Sequence, residues 1–372
     1  VTVPLSILDL APVVAGGTAG DALRRTLDLA RAAENSGYAR YWVAEHHFTA
    51  GVASSQPALL LGQIAAVTER IRLGSGAVQT GHQTPLSIVE QFGLLDALYP
   101  GRFDLGLGRS GQPRSEAVAA PAPEPAGNEE RVVGGLLIPK SFSFAPLLAS
   151  TRWKLFARLL QQAGASPPPF TEVLDEIEAL LAGPVTDEQG NEARAVPGEG
   201  ADLQLWLLGS SGGESAQVAG APGLPFAANY HVAPAQVLDA AAAYRAAFQP
   251  SKTLDQPYVM VSADVVAAPD DATARSLAAG YGLWVHSIRT GQGAIPYPSP
   301  EQAAQHRWSD EERELVADRV ATQFVGSPQT VVAGLRTLQR VTGADELLVT
   351  TMTYEHADRV RSFELLAREW LG

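Results

Sequence analysis

Eight short apolar runs alternate with helical stretches along this chain, and that rhythm leaves few folds open. The runs are Leu5–Leu10, Tyr41–Ala44, Arg70–Val78, Gly101–Arg109, Leu203–Leu208, Leu224–Ala228, Tyr258–Val266 and Glu346–Thr351. Most are dominated by leucine, β-branched or aromatic residues, the composition of strands buried on both faces. Helices are expected over Asp21–Asn35, Pro57–Thr68, Thr84–Leu98, Thr171–Leu181, Gln329–Val341 and Glu355–Trp370, with proline near several starts and Gly37 closing the first. Strand and helix in alternation predict an α/β fold, a (β/α)8 TIM barrel. The 372 residues suit one such barrel, a single domain over 1–372 with two insertions. One insertion, about 110–200, follows the fourth strand; the other, about 290–310, follows the helix after the seventh.

Composition removes several function classes. A formal charge of −13 argues against nucleic acid or an anionic membrane as partner. The absence of cysteine excludes disulfides, thiolate catalysis and cysteine-ligated metals. Val1–Asp9 has no basic lead-in and reads as a first strand rather than a signal peptide, and no apolar run reaches membrane-spanning length, so a cytoplasmic location is expected. The helix from Pro57 is apolar nearly all round, through Leu59, Leu60, Leu61, Ile64, Ala65 and Val67. A helix on the outside of a monomeric barrel needs a wet face. A homodimer through helices 57–68 and 84–98 is therefore expected, with burial under an insertion as the other reading.

Chemistry in such a barrel gathers where strands end at their carboxyl side. The run Tyr41–Ala44 stops at Glu45-His46-His47, polar residues that a buried strand does not choose. The same rim should carry the Gly76-Ala77 bend, Arg109, the turn Gly209-Ser210-Ser211-Gly212-Gly213, and Tyr230 with His231. Arg109 is a permanent cationic fork, and the glycine–serine turn offers hydroxyls and backbone N–H groups before a helix. Together they read as an anion site sized for phosphate. Gly106 to Gly111 spells G-x-G-x-x-G, but Gln112-Pro113 and a Pro/Ala-rich segment follow where a dinucleotide fingerprint needs a helix. A metal site is not expected: there is no H-E-x-x-H, adjacent His46 and His47 point apart, and a chelate would need His82 or His231 with a carboxylate. Within the first insertion Ala119–Gly127 reads as loop. Phe142, Phe144, Trp153 and Phe156 suit either a lid over the site or a satellite cluster on the barrel wall.

Five segments carry a resemblance: Tyr41–Thr49, Gly74–Val78, Pro100–Arg109, Leu205–Ser211 and Phe324–Pro328. In this order the chain resembles the bacterial luciferase-like flavin-dependent monooxygenases, which are (β/α)8 barrels. The resemblance implies that His46 is the catalytic histidine beside the reactive edge of a flavin. It implies that Arg109, Ser210 and the backbone following, Ser211, Gly212 and Gly213, hold the phosphate of FMN. Gly76-Ala77 falls where the family has a non-proline cis peptide beneath the ring. His47, His82, Tyr230 and His231 are expected on the substrate side. The implied reaction uses reduced FMN as co-substrate, supplied by a separate flavin reductase, and O2, through a C4a-peroxide that oxygenates a small organic substrate. The alternatives are a deazaflavin (F420)-dependent dehydrogenase on the same barrel and a non-catalytic flavin-holding partner subunit. A metal-dependent hydrolase stands further off. The chain departs from the family at Gly209, where luciferase itself has an acidic residue, in phosphate loops that follow strands four and five, and in the segment after Arg109.

Overall fold

The computed structural model describes residues 2–109, 129–162 and 164–372; the Ala119–Gly127 loop and the glycine motif beyond Arg109 lie outside them. Eight strands close on themselves: β1 (Leu5–Asp9), β2 (Arg40–Val43), β3 (Arg72–Ser75), β4 (Phe103–Gly108), β5 (Gln204–Gly209), β6 (Phe226–Asn229), β7 (Val259–Ala267) and β8 (Glu346–Thr350). Each pairs in parallel with the next, and Leu5 opposite Leu347 joins β8 back to β1. This is the TIM barrel that the alternation predicts.

Two-residue periodicity divides the strand side chains between two cores. Ile7, Tyr41, Val43, Leu105, Leu207 and Val349 point outward and pack under the surrounding helices. Leu8, Trp42, Trp206, Met260 and Leu348 point into the bore. Trp42 and Trp206 meet edge to face with ring centres 5.2 Å apart.

A polar layer closes the bore at the amino ends of the strands. Asp104 accepts hydrogen bonds from Arg40 Nη1 at 2.8 Å, Trp42 Nε1 at 2.9 Å and Arg72 Nη2 at 2.6 Å. Arg40 Nε also reaches Glu346 at 3.1 Å, and the Tyr258 hydroxyl donates to the same carboxylate at 2.9 Å. Two carboxylates against two guanidiniums balance the charge, and the remaining acceptors are used by neutral donors, which is what lets charge persist in a barrel interior. With this end plugged, the carboxyl rim is the open side.

The insertions hold more structure than their sequences announce. The first contains a hairpin, Arg131–Val133 with Leu136–Ile138, and the helices Ala145–Leu148, Thr151–Leu160 and Phe170–Ala182. After β7 come the helices Tyr281–Arg289, Pro300–Gln305 and Asp310–Ala321, and a short strand, Phe324–Gly326, that extends β7 in parallel. The helix that opens at Pro57 stops at Ala65, three residues short of Thr68, whose hydroxyl folds back onto the Ile64 carbonyl at 2.8 Å. No described helix is long and apolar enough to cross a membrane.

Candidate active site

Past Val43 the chain leaves β2 and is held by its neighbours. Ala44 N donates to Asp9 O and His46 N to Ser54 O, both at 2.9 Å. Glu45 turns inward and is buried. Its Oε1 lies 2.9 Å from His47 Nε2 and 2.8 Å from His82 Nε2, while Oε2 accepts from Gln79 N at 3.0 Å. Phe48 follows in the left-handed region at φ 55°, completing the turn. The consequence is a division of labour: His47 is tied to Glu45, and His46 is left to face a cavity, with no side-chain hydrogen bond to any described residue.

That cavity measures about 510 Å³, within the range of small-molecule sites. Arg109, Ser210 and Ser211 line one part of it, at the adjoining ends of β4 and β5. Gly76 and Ala77, joined by a cis peptide, line another, with the apolar side chains of Leu8, Leu348 and Met352. The Arg109 fork also meets a carboxylate: its Nη1 sits 3.3 Å from the buried side chain of Glu214. Of the glycine–serine turn, Gly209, Ser210 and Ser211 border the cavity; Gly212 backs onto the helix Val237–Ala247, where a Cβ would fall 2.9 Å from Asp239 O. Gly213 caps the helix Glu214–Gly220.

The other sequence candidates part company. His231 lines the cavity, its Nδ1 2.6 Å from Ser262 Oγ. Tyr230 does not: its hydroxyl donates to Leu137 O at 2.7 Å and its ring stacks on Phe324, outside the barrel wall. His82 is held at Glu45, away from the cavity lining, whereas His47 borders a neighbouring cavity. Glu45, His47 and His82 bring three possible ligand atoms within 4.8 Å of one another, so the chelate considered from the sequence finds its partner in His82 and not in His231. Here the carboxylate is already used by both imidazoles and a backbone N–H.

Sequence reasoning missed Asp264 and Arg319. Both line the cavity; the Tyr281 hydroxyl donates to Asp264, and Arg319 Nη2 lies 2.8 Å from that hydroxyl and 3.4 Å from the carboxylate. The signal was present in β7, where Ser262 and Asp264 interrupt an apolar strand at a spacing of two, on the face of Met260. Electrostatics around the imidazoles favour their neutral forms. Enclosure in the cavity lowers the His46 pKa, His47 adds to that, and Glu45 opposes it. His231 is pulled down to about 3 by burial, with Arg319 and His46 contributing. The site therefore presents neutral imidazoles at pH 7, of which His46, with no side-chain hydrogen bond to a described residue, is the one placed to accept a proton.

A sequence model of the family described as luciferase-like monooxygenase matches residues 3–128 and 159–346. The chain belongs to that family. A relative from Escherichia coli K12, named luciferase-like monooxygenase, is 36% identical over 364 residues, covering 98% of this chain and 96% of the relative. Among solved structures, apo-MsnO8 superposes with a TM-score of 0.79 at 30% identity, covering 99% of this chain and 98% of that one. The oxygenating constituent of 3,6-diketocamphane monooxygenase from Pseudomonas putida, a type II Baeyer–Villiger enzyme solved with FMN, shares the fold at TM-score 0.67 and 19% identity, covering 99% and 97%. Membership of this family makes the chain an oxidoreductase of the monooxygenase type.

Proposed function

We propose that this luciferase-like monooxygenase uses reduced FMN and O2 to oxygenate a small organic substrate. The observation that carries the reading is a single cavity that combines Arg109, Ser210 and Ser211 with an apolar floor at Gly76-Ala77 and a neutral imidazole at His46. These residues fit a molecule with an anionic tail and a flat ring. Arg109 and the two serine hydroxyls would hold the phosphate, the Gly76-Ala77 backbone would support the ring, and His46 would face its reactive edge. Bound FMN, once reduced, supplies the electrons that activate dioxygen. The protein's part is to bind, to orient and to exclude water: Leu8, Leu348, Met352 and Trp284 keep the cavity apolar, and His46 accepts or returns a proton at an imidazole nitrogen. A separate reductase would deliver the reduced flavin.

We also propose the homodimer. Leu59 is 74% exposed, Leu94 50% and Leu98 64%, large apolar side chains on the helices Pro57–Ala65 and Pro85–Leu98 that a second copy would cover.

Titration with FMN, reduced FMN and the deazaflavin F420 tests the cofactor. Tightest binding of FMN, lost in Arg109→Ala, supports the reading; tighter binding of F420 would replace it with the dehydrogenase. Oxygen consumption coupled to substrate, abolished in His46→Ala while FMN still binds, separates an enzyme from a flavin-holding subunit.

A further inference from the structure

We infer that the site takes an amphipathic carboxylic acid, its apolar body in a cavity beside His46 and its acid group on Arg152. This inference rests on the reading of His46 as the reacting end of the flavin site. A cavity of about 500 Å³ adjoins the first, and His46, Leu10, Phe144, Trp284 and Ile288 border both. The two spaces meet at His46. A molecule in the second would reach the imidazole, and with it the ring edge proposed to lie there.

The walls of this second space decide what fits it. Phe48 stacks on Phe156 at 4.6 Å, and Trp153, Leu147 and Leu148 complete a covering supplied by the first insertion. The polar groups are mostly spent at home. The Thr49 hydroxyl donates to Ala294 O at 2.8 Å, Ser150 Oγ caps Trp153 N at 3.2 Å, and His47 is bonded to Glu45. Arg152 is different. It lines this cavity and not the first, its guanidinium lies over the Phe156 ring at 5.1 Å, and it has no carboxylate partner among the described residues.

A lone guanidinium on an aromatic face selects a planar anion that accepts two parallel hydrogen bonds. Arg152 stands exposed at the mouth of this space and is the one arginine or lysine in its lining, so it matches the single charge of a carboxylate, while the second charge of a phosphate monoester would find no second cation there. Because Arg152 borders only the outer space and His46 borders both, an acid held at Arg152 leaves its apolar body free to extend toward His46.

Calorimetric titration of the full chain with octanoate, octanol, octylamine and octyl phosphate tests this, with FMN titrated separately as a check on the flavin site. Octanoate should bind about threefold tighter than octanol, with octylamine weakest, since the guanidinium is exposed and a solvated charge pair is worth only a factor of that order. Arg152→Leu should bring octanoate to the level of octanol without changing octanol or FMN binding, and Arg152→Lys should restore part of the preference. Equal binding of octanoate and octanol, tighter binding of octyl phosphate, or a preference that survives Arg152→Leu would each overturn the inference. A failure of FMN to bind would instead strike the underlying functional reading, and the octanoate preference would stand or fall by itself.

Discussion

Glu45 Oε1 lies 2.8 Å from His82 Nε2, across 37 residues of sequence, and this contact sets how the histidine pair is presented. The same oxygen holds His47, so the strand end cannot rotate to exchange His46 for His47. Burial pushes the Glu45 carboxyl up, but the hydrogen bonds from His47, His82 and Gln79 together hold it below the usual glutamate value. A carboxyl lowered on folding contributes stability above its unfolded pKa and loses it as pH falls through the folded one. Glu45→Gln should therefore cost about 1–3 kcal/mol at pH 7 in urea melts, with the cost shrinking in acid. An unchanged midpoint at pH 7 would show that the contact carries no stability.

His231 gives an acid limb of a different kind. Its pKa falls from about 6.5 to about 3 on folding, through burial and the charges of Arg319 and His46. The unfolded chain then binds the extra proton, so stability declines as pH drops from about 6.5 toward 3, by up to about 1.4 kcal/mol per pH unit. Replacing it in His231→Asn should flatten the stretch between pH 6 and 5, ahead of the Glu45 effect. A parallel pH profile for variant and parent would refute the assignment.

The lowered pKa of His46 makes a kinetic prediction. If its neutral form is required, turnover with reduced FMN stays constant through the ordinary imidazole range and falls only below about pH 6.5. A limb centred above pH 7 would mean that another group is being titrated.

The plug at the amino end should behave as a unit. Asp104→Ala takes away the carboxylate that Arg40 and Arg72 share, leaving Arg40 with Glu346 and Arg72 with carbonyl oxygens alone, and removing one partner of a buried pair costs about 3–5 kcal/mol. Chemical denaturation reads this directly. A loss under about 1 kcal/mol, the scale of an exposed ion pair, would show that water or rearrangement compensates.

Dimerisation is checked by sedimentation of Leu59→Lys with Leu98→Lys. The paired charges should halve the sedimenting mass while leaving the folded far-ultraviolet signal intact. A parent chain that already sediments as a monomer would remove the proposed interface.

The barrel was readable in the sequence because strands covered on both faces must be apolar, and the helices between them carry their own stops. The end of the histidine strand was readable for the same reason, since Glu45-His46-His47 breaks that demand. Strand-end position alone misled at Tyr230. Along β6 Ala227, Asn229 and His231 face the cavity, and one residue of parity turns Tyr230 out to Leu137. Applied to β7, the same parity picks out Ser262 and Asp264. The Arg40–Asp104–Glu346 layer had no such signal, because its members lie 64 and 306 residues apart in the chain and only closure of the barrel brings them together.

The plugged amino end also governs traffic. With Trp42, Trp206 and the ionic layer filling the bore, nothing the size of a flavin or its co-substrates can pass through the molecule from end to end. Under the proposed function, ligands would enter and leave at the carboxyl rim, and an occupant nearer that rim would control when a deeper one is exchanged.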